Sequence, residues 1–194
     1  MEFLDEKTLK IDRVETILDK FVVEFTKMLE KYAKYTIISG YVAILLGRSR
    51  ATEDVDIFIE KIEKEKFFIL FDNLRKNGYN CFNAQGPDDA FNHLLDNLAL
   101  RFSRKNKPIP NIEIKFAKTD FDKETLENRI KIVMPFGNIF TSEIERQIAF
   151  KRFVLKSDKD LEDAEHMEKA LKGNINNKKI ENYRKILENY YASI

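Results

Sequence analysis

The segment spanning residues 54–60, DVDIFIE, constrains this chain more than any other stretch. Strict apolar and polar alternation over that length has the period of a β-strand. Val55, Ile57 and Ile59 therefore leave one face, and Asp54, Asp56 and Phe58 the other. The branched face must be buried, which leaves two carboxylates side by side on the opposite face, their Cα atoms roughly 6.5 to 7 Å apart. Like charges that close oppose each other's ionisation unless a cation lies between them. Mg²⁺ suits such a place, because it takes oxygen ligands from one or two carboxylates and completes its shell with water and substrate phosphates. A bare Asp-x-Asp also occurs on any half-solvated strand, so its neighbours decide its meaning.

Those neighbours read as a mixed α/β chain. Apolar residues from Val14 through Leu18, Phe21, Phe25, Met28 and Tyr32 recur at three and four, the stripe of an amphipathic helix ending near Lys34. The run YTIIS at 35–39 is a short buried strand, Gly40 a turn, and YVAILL a short buried helix stopped by Gly47. If a strand turns directly into a helix at Ser39 and Gly40, free backbone N–H groups and the positive end of the helix dipole face a site where an anion could bind. A glycine there either admits a phosphate close to the backbone or merely satisfies the dihedrals of the turn. Further on, a helix is expected at 63–77 and a strand at 79–83. Two more strands, 94–103 and 112–117, are joined by a proline-containing turn, and a helix at 124–129 precedes a strand at 131–134. From Ser142 the spacing is helical in three segments, 142–155, 158–171 and 178–191. The expected organisation is an α/β (α+β) core over 1–140, a mixed sheet flanked by helices, with a C-terminal helical part over 141–194 packed on it.

Composition narrows the function classes. Thirty-four Lys and Arg against thirty-three Asp and Glu leave a net charge of +1, so no global field draws the chain to nucleic acid or to a membrane. With 43% hydrophobic residues and sixteen Phe the chain has the material for a packed core, in the range of one domain. The lone Cys81 forms no internal disulfide, and His93 and His166 have no partners at metal spacing, so these three are read as packing or surface residues. No stretch reaches the ~18 apolar residues of a membrane span, and the first residues lack the apolar core of a signal peptide. A cytoplasmic protein without a membrane partner is expected.

The stretch SGYVAILLGRSRATEDVDIFI resembles the signature of the DNA polymerase β-type nucleotidyltransferase superfamily: an apolar residue, a small pair, a short helix, then Asp-apolar-Asp in a strand. The agreement of Gly47, Arg48, Thr52, Asp54 and Asp56 with the pattern G..R.T.D.D is similar to its AbiEii toxin-like branch. Arg50 fits as well when the arginine is counted two residues before Thr52. The small pair departs from the usual Gly-Gly or Gly-Ser, being Ser39-Gly40.

The resemblance implies a nucleotidyltransferase-type sheet and a nucleoside triphosphate such as ATP as substrate, held by Ser39, Gly40, Arg48, Arg50 and Lys151. It implies Mg²⁺ or Mn²⁺ on Asp54, Asp56 and a third carboxylate, Glu113, which would also activate the incoming hydroxyl. Glu113 could instead be a strand carboxylate paired with Lys115. The segment KSDKDLEDA resembles the branch's Lys and KDxxDA stretch, placing Asp160 or Asp163 near the rim, although Ser157 with Asp160 is also a helix-capping box. Transfer of a nucleoside monophosphate to a tRNA end or to a protein hydroxyl is implied, in a toxin–antitoxin or abortive-infection setting with an antitoxin protein as partner. The rival expectation is a non-catalytic binding module of the same fold, or an antitoxin-like partner protein.

Overall fold

The computed structural model describes residues 1–192, so the last two residues of the expected C-terminal part, 193–194, lie outside the described residues. Its centre is the alternating segment, which forms β4 (Asp54–Ile59) with Val55, Ile57 and Ile59 buried and the three intervening residues half-buried. On one side β4 pairs antiparallel with β3 (Tyr35–Ile38), on the other parallel with β7 (Lys107–Phe116). Beyond β7 lie β6 (Leu100–Arg104) and β5 (Tyr79–Cys81). Beyond β3 the sheet continues through β9 (Gly137–Thr141), β8 (Ile130–Met134), β2 (Thr8–Lys10) and β1 (Glu2–Asp5). The two halves meet where Ile37 of β3 pairs in parallel with Thr141 of β9.

Helices cover both faces. On the buried face of β4, α1 (Ile17–Leu29), α3 (Lys64–Lys76) and α4 (Pro87–Leu95) pack over the sheet. Aromatic rings fill the space: Phe25 meets Tyr79 edge-on at 5.1 Å, Phe71 meets Phe102 at 5.9 Å, and Phe67 lies 5.5 Å from Phe91. Pairs of this kind contribute about 0.5–1.5 kcal/mol each beyond their area burial. The opposite face carries α5 (Asp120–Glu127), which crosses β3 and β4. The chain then runs through α6 (Ile144–Phe150), a π-helical turn at Lys151–Leu155, α7 (Asp158–Ala170) and α8 (Asn177–Ala192). The short α2 (Gly40–Leu45) links β3 to the loop before β4 and rests on α7. The expected class, a mixed sheet flanked by helices with helices at the C-terminus, is what is found. No helix among the described residues is long and apolar enough to cross a membrane.

Local chemistry explains where helices start. Thr16 and Asp19 form a reciprocal capping box on α1, so Val14, 88% exposed, lies before the helix rather than within its stripe. Asp19 is fully buried, and it also accepts from the Tyr41 hydroxyl at 2.8 Å and faces Arg13 at 3.1 Å, which ties α1 to α2. The helix α4 was not foreseen, although Pro87 in its first turn with Asp88 and Asp89 beside it is an N-terminal signal. Consequently the expected strand 94–103 is in fact the end of α4 followed by β6. The expected proline turn is also displaced: Arg104 pairs with Lys107, leaving Lys105 and Asn106 as a two-residue hairpin loop, and both prolines lie inside β7. Asn106 takes the left-handed conformation, at φ 63°, that such a loop requires.

Gly137 opens β9 at φ 154°, and a Cβ there would stand 2.7 Å from Val23 Cγ1 on α1. Gly137→Ala should lower stability by about 1–3 kcal/mol, since the overpacked contact is with a rigid β-branched residue. Urea denaturation should show the midpoint falling with the slope unchanged; an unaltered midpoint would mean that α1 does not press on this hairpin.

Candidate active site

Register places the acidic residues. Across the sheet Ile38, Asp56, Glu113 and Arg101 occupy one row, because Asp56 pairs with Ile38 and Glu113, and Glu113 pairs with Arg101. Asp54, two residues earlier on β4, pairs with Asn111. The Thr52 hydroxyl donates to the Asp54 carbonyl at 2.9 Å, fixing the entry to the strand. Burial pushes the Asp56 carboxyl up to about 6, and the nearby charges of Asp54 and Glu113 add to the shift, while Lys115 and a hydrogen bond from Ser39 act against it. Glu113 is 9% exposed and does not pair with Lys115: its Oε1 lies 2.7 Å from Arg101 Nε. Among the described residues no three His, Cys, Asp or Glu side chains converge closely enough, as they stand, to hold a metal ion. The two β4 carboxylates nevertheless offer the hard oxygens that Mg²⁺ takes from protein when phosphates supply the rest.

The turn at residues 39–40 is built the opposite way from the sequence expectation. Ser39, not Gly40, carries the unusual backbone, at φ 66° and ψ −137°, a region that glycine favours and that costs a residue with a side chain about 1–3 kcal/mol. Its N–H donates to Gln147 Oε1 at 3.2 Å, so that donor is already engaged. At Gly40 the Arg50 side chain occupies the space a Cβ would take: such a Cβ would stand 2.8 Å from Arg50 Nη2, so a larger residue would displace the guanidinium. The guanidinium therefore lies directly over the glycine. With only six residues, α2 has too few aligned peptides for its dipole to dominate, so side-chain cations must supply the positive potential here.

Those cations converge on one buried carboxylate. Asp163, fully buried on α7, receives Arg50 Nη1 at 2.6 Å and Lys151 Nζ at 2.9 Å on Oδ2. Arg48 Nε comes within 2.8 Å of Oδ1, although neither atom has a well-aligned hydrogen bond. Lys151 is 1% exposed and donates also to Asp160 Oδ1 at 2.8 Å, while Arg48 reaches Glu162 at 2.6 Å. The expected capping box at Ser157 is half formed: the Ser157 hydroxyl accepts from the Asp160 N–H and donates to the Asp160 carboxylate, which also lines the cavity beside Asp54 and Asp56. His166 contacts the Leu46 carbonyl and His93 that of Asp89, as packing residues do.

Two cavities flank Asp56. The smaller, about 250 Å³, gathers Gly40, Arg50, Asp54, Asp56 and Lys151 with Ser39 at its edge, so six of the eight expected site residues share one space. Arg48 and Glu113 do not line it. The G..R.T.D.D pattern in fact sets its arginine two residues before the threonine, which is Arg50. Lys159 also lines this cavity and was not singled out, although it stands inside KSDKDLEDA. The larger cavity, about 360 Å³, shares Ser39, Asp56 and Leu155 with the first and extends past Phe58 and Lys115 to Phe121, Arg146 and the end of α8. None of its aromatic residues was anticipated, because they converge from four separate elements.

The fold is thus a mixed sheet with an acidic pair on its central strand, a small-residue turn before a short helix, and helices at the C-terminus. Neither a family model nor a curated protein matches the chain. Among solved structures it is similar to the antibiotic-resistance factor ANT(2'')-Ia, with a TM-score of 0.56 and 12% identity over 90% of this chain and 92% of that one. It is also similar to an antigenic nucleotidyltransferase-like protein from Paracoccidioides brasiliensis, with a TM-score of 0.49 and 18% identity over 76% of this chain and 73% of that one.

Two expectations follow from the electrostatics. Asp163→Ala would leave Lys151, Arg48 and Arg50 facing one another without their shared anion, and should destabilise the fold by about 3–5 kcal/mol; a loss below 1 kcal/mol in denaturant titration would contradict the hub. Asp56 titrates higher in the folded chain, near 6, than the 3.8 of an ordinary aspartate, so the folded state holds the extra proton between about pH 4 and 6. Stability therefore declines as pH rises through that window and levels off above it. In chelator-treated protein Asp56→Asn should melt higher than wild type above pH 7, with the margin shrinking toward pH 4; parallel melting profiles would refute the assignment.

Proposed function

We propose that the chain is a metal-dependent nucleotidyltransferase that transfers a nucleoside monophosphate from a nucleoside triphosphate to an acceptor hydroxyl. The observation that carries this reading is the meeting of the β4 carboxylates with Gly40, Arg50, Lys151 and Lys159 around one polar cavity. Hard-oxygen donors and cations at such a distance match the two ends of a metal–triphosphate complex. Asp54 and Asp56 would hold Mg²⁺ or Mn²⁺, with Glu113 as the third carboxylate. The metal, when bound, neutralises charge on the phosphates and orients them. Arg50, through its planar fork, and Lys159 at the rim bind the outer phosphates, with Lys151 behind them and Arg48 securing the loop. Ser39 and Gly40 line the same cavity. Glu113, beside Asp56 in register, accepts the proton of the attacking hydroxyl. A new bond forms between that oxygen and the α-phosphorus as the bond to pyrophosphate breaks.

The resemblance of G..R.T.D.D and KSDKDLEDA to the AbiEii toxin-like branch favours a tRNA end or a protein hydroxyl as acceptor, with an antitoxin as partner protein, in a core of residues 1–140 and a helical extension over 141–194. A non-catalytic module of this fold is the second reading, favoured by the pairing of Arg48, Arg50 and Lys151 with Asp163, which leaves these cations already neutralised.

Calorimetry separates the two. ATP, CTP, GTP and UTP titrated with magnesium into wild type should give heat for at least one nucleotide, and the Asp54→Asn/Asp56→Asn double variant should lose the magnesium-dependent part. Silence with all four in a folded sample would favour the binding module.

A further inference from the structure

The larger cavity lies outside the phosphate reading, and the demands of in-line displacement give it a place in the reaction. Along β4 the order Asp54, Asp56, Phe58 runs from the polar cavity into the aromatic one, with Asp56 in the wall of both. A phosphoryl group in transfer keeps its attacking and leaving oxygens roughly in line. With the outer phosphates on Arg50 and Lys159, pyrophosphate departs on the polar side of Asp56, and the attacking hydroxyl must arrive from the aromatic side. We propose that this hydroxyl is the chain's own, that of Tyr191 on α8, so that the protein modifies itself with a nucleoside monophosphate; the assignment rests on the nucleoside triphosphate reading of the smaller cavity.

The hydroxyls in the cavity wall are not equivalent. Thr119 caps α5 and accepts from the Asp122 N–H, Thr125 donates to the Phe121 carbonyl, Ser142 accepts from Gln147, and Ser39 hydrogen-bonds to Asp56. The Tyr191 hydroxyl makes no hydrogen bond among the described residues. Its ring meets that of Tyr190 edge-on at 5.3 Å and leaves the residue 48% exposed. Exposed side chains change rotamer within nanoseconds, so this hydroxyl samples the cavity instead of being held off it. Phe58, Phe121 and Phe150 complete an aromatic wall that suits a phenol ring better than an aliphatic hydroxyl. Lys115, which makes no ion pair among the described residues, lines the same space, as does Arg146, whose Nε is buried without a partner. A phosphodiester made on Tyr191 carries one negative charge and two free oxygens, which complement both.

Burial, with Tyr190 and Asp122 beside it, raises the proton affinity of the Tyr191 hydroxyl, so the group enters as the neutral phenol. In the step its oxygen bonds to the α-phosphorus while the bond from that phosphorus to the bridging oxygen breaks. Pyrophosphate leaves with the electron pair, and the phenolic proton passes to Glu113. The ester fills the acceptor side, so the reaction stops at one group per chain.

Intact-mass spectrometry tests this on the full chain, incubated with magnesium and each of ATP, CTP, GTP and UTP, beside calorimetric binding of the same nucleotides. Relative to the mass of the sequence, at least one nucleotide should add a single nucleoside monophosphate. Peptide fragmentation should map it to Tyr191, and its fractional rate should not change when the protein is diluted. Tyr191→Phe, which removes one oxygen from a half-exposed ring, should bind that nucleotide and gain no mass. Asp56→Asn should gain none either. The proposal is overturned by a gain that persists in either folded variant, by a label on another residue, or by a rate that falls in proportion to dilution, which makes another copy the acceptor. Nucleotide binding without mass gain in wild type also overturns it and leaves transfer to an external acceptor standing. Silence with all four nucleotides removes the triphosphate reading and self-transfer with it.

Discussion

The loop before β4, the π-helical turn and α7 are joined by a single buried carboxylate. Asp163 draws Arg48 and Arg50 from the loop before β4 and Lys151 from the π-helical turn, joining three segments that share no backbone hydrogen-bond ladder. Such a cluster adds little net stability, because removing charges from water costs nearly as much as their attraction returns. Its effect is geometric. Cations with low exposure tolerate only arrangements in which each meets an anion, which seats α7 against α2 and the loop before β4. The π-helical turn belongs to the same constraint: the Lys156 N–H bonds to the Lys151 carbonyl five residues back, and the widened turn carries Lys151 inward toward Asp163. Once α7 is fixed, Leu155 and Lys159 line the polar cavity as a consequence.

Beside this balanced cluster stands an unbalanced one. Asp54, Asp56 and Glu113 share the sheet face, and among the described residues only Glu113 has a cation within ion-pair distance, Arg101. The excess negative charge is expressed in the raised proton affinity of Asp56. Both clusters contribute to the lining of one small cavity, Asp54 and Asp56 from the acidic one and Arg50, Lys151 and Asp160 from the neutral one, together with Lys159. A ligand carrying both a divalent cation and phosphate oxygens complements the two sides at once, whereas a simple anion or a simple cation complements only one.

The central strands and the acidic pair were legible from residue order because alternation is a local property. In β4 every second residue reports on its face, and the same holds for Glu113 between Ile112 and Ile114. What escaped depended on distance or on context. The strands β1, β2 and β9 span four, three and five residues, too short to display a clear alternation, and they are strands through hairpin pairing of β1 with β2 and of β9 with β8 and through the cross-sheet pairing of β2 with β8. The helix α4 was hidden because its apolar residues run on toward those of β6. At the turn, Gly40 invited an argument from dihedrals, whereas the unusual dihedrals belong to Ser39 and the space beside Gly40 is filled by Arg50, ten residues away in sequence. The aromatic cavity could not be read at all, since Phe58, Phe121, Phe150 and Tyr191 become neighbours only after α5, α6 and α8 close over the strand.

The order of the strands also sets a timetable. Half of the sheet, from β3 through β4, β7 and β6 to β5, is complete once residue 116 exists, and it already contains all three acidic residues. The other half waits: Thr8 to Lys10 pair with Lys131 to Val133, and Ile37 with Thr141, separations that a ribosome covers on the order of ten seconds at typical elongation rates. During that interval the outer edge of β3, with Tyr35 and Ile37, is an open strand edge of the kind that recruits other chains. The late-arriving strand β9 thus does more than extend the sheet; in a growing chain it shields the molecule from its own unfinished copies.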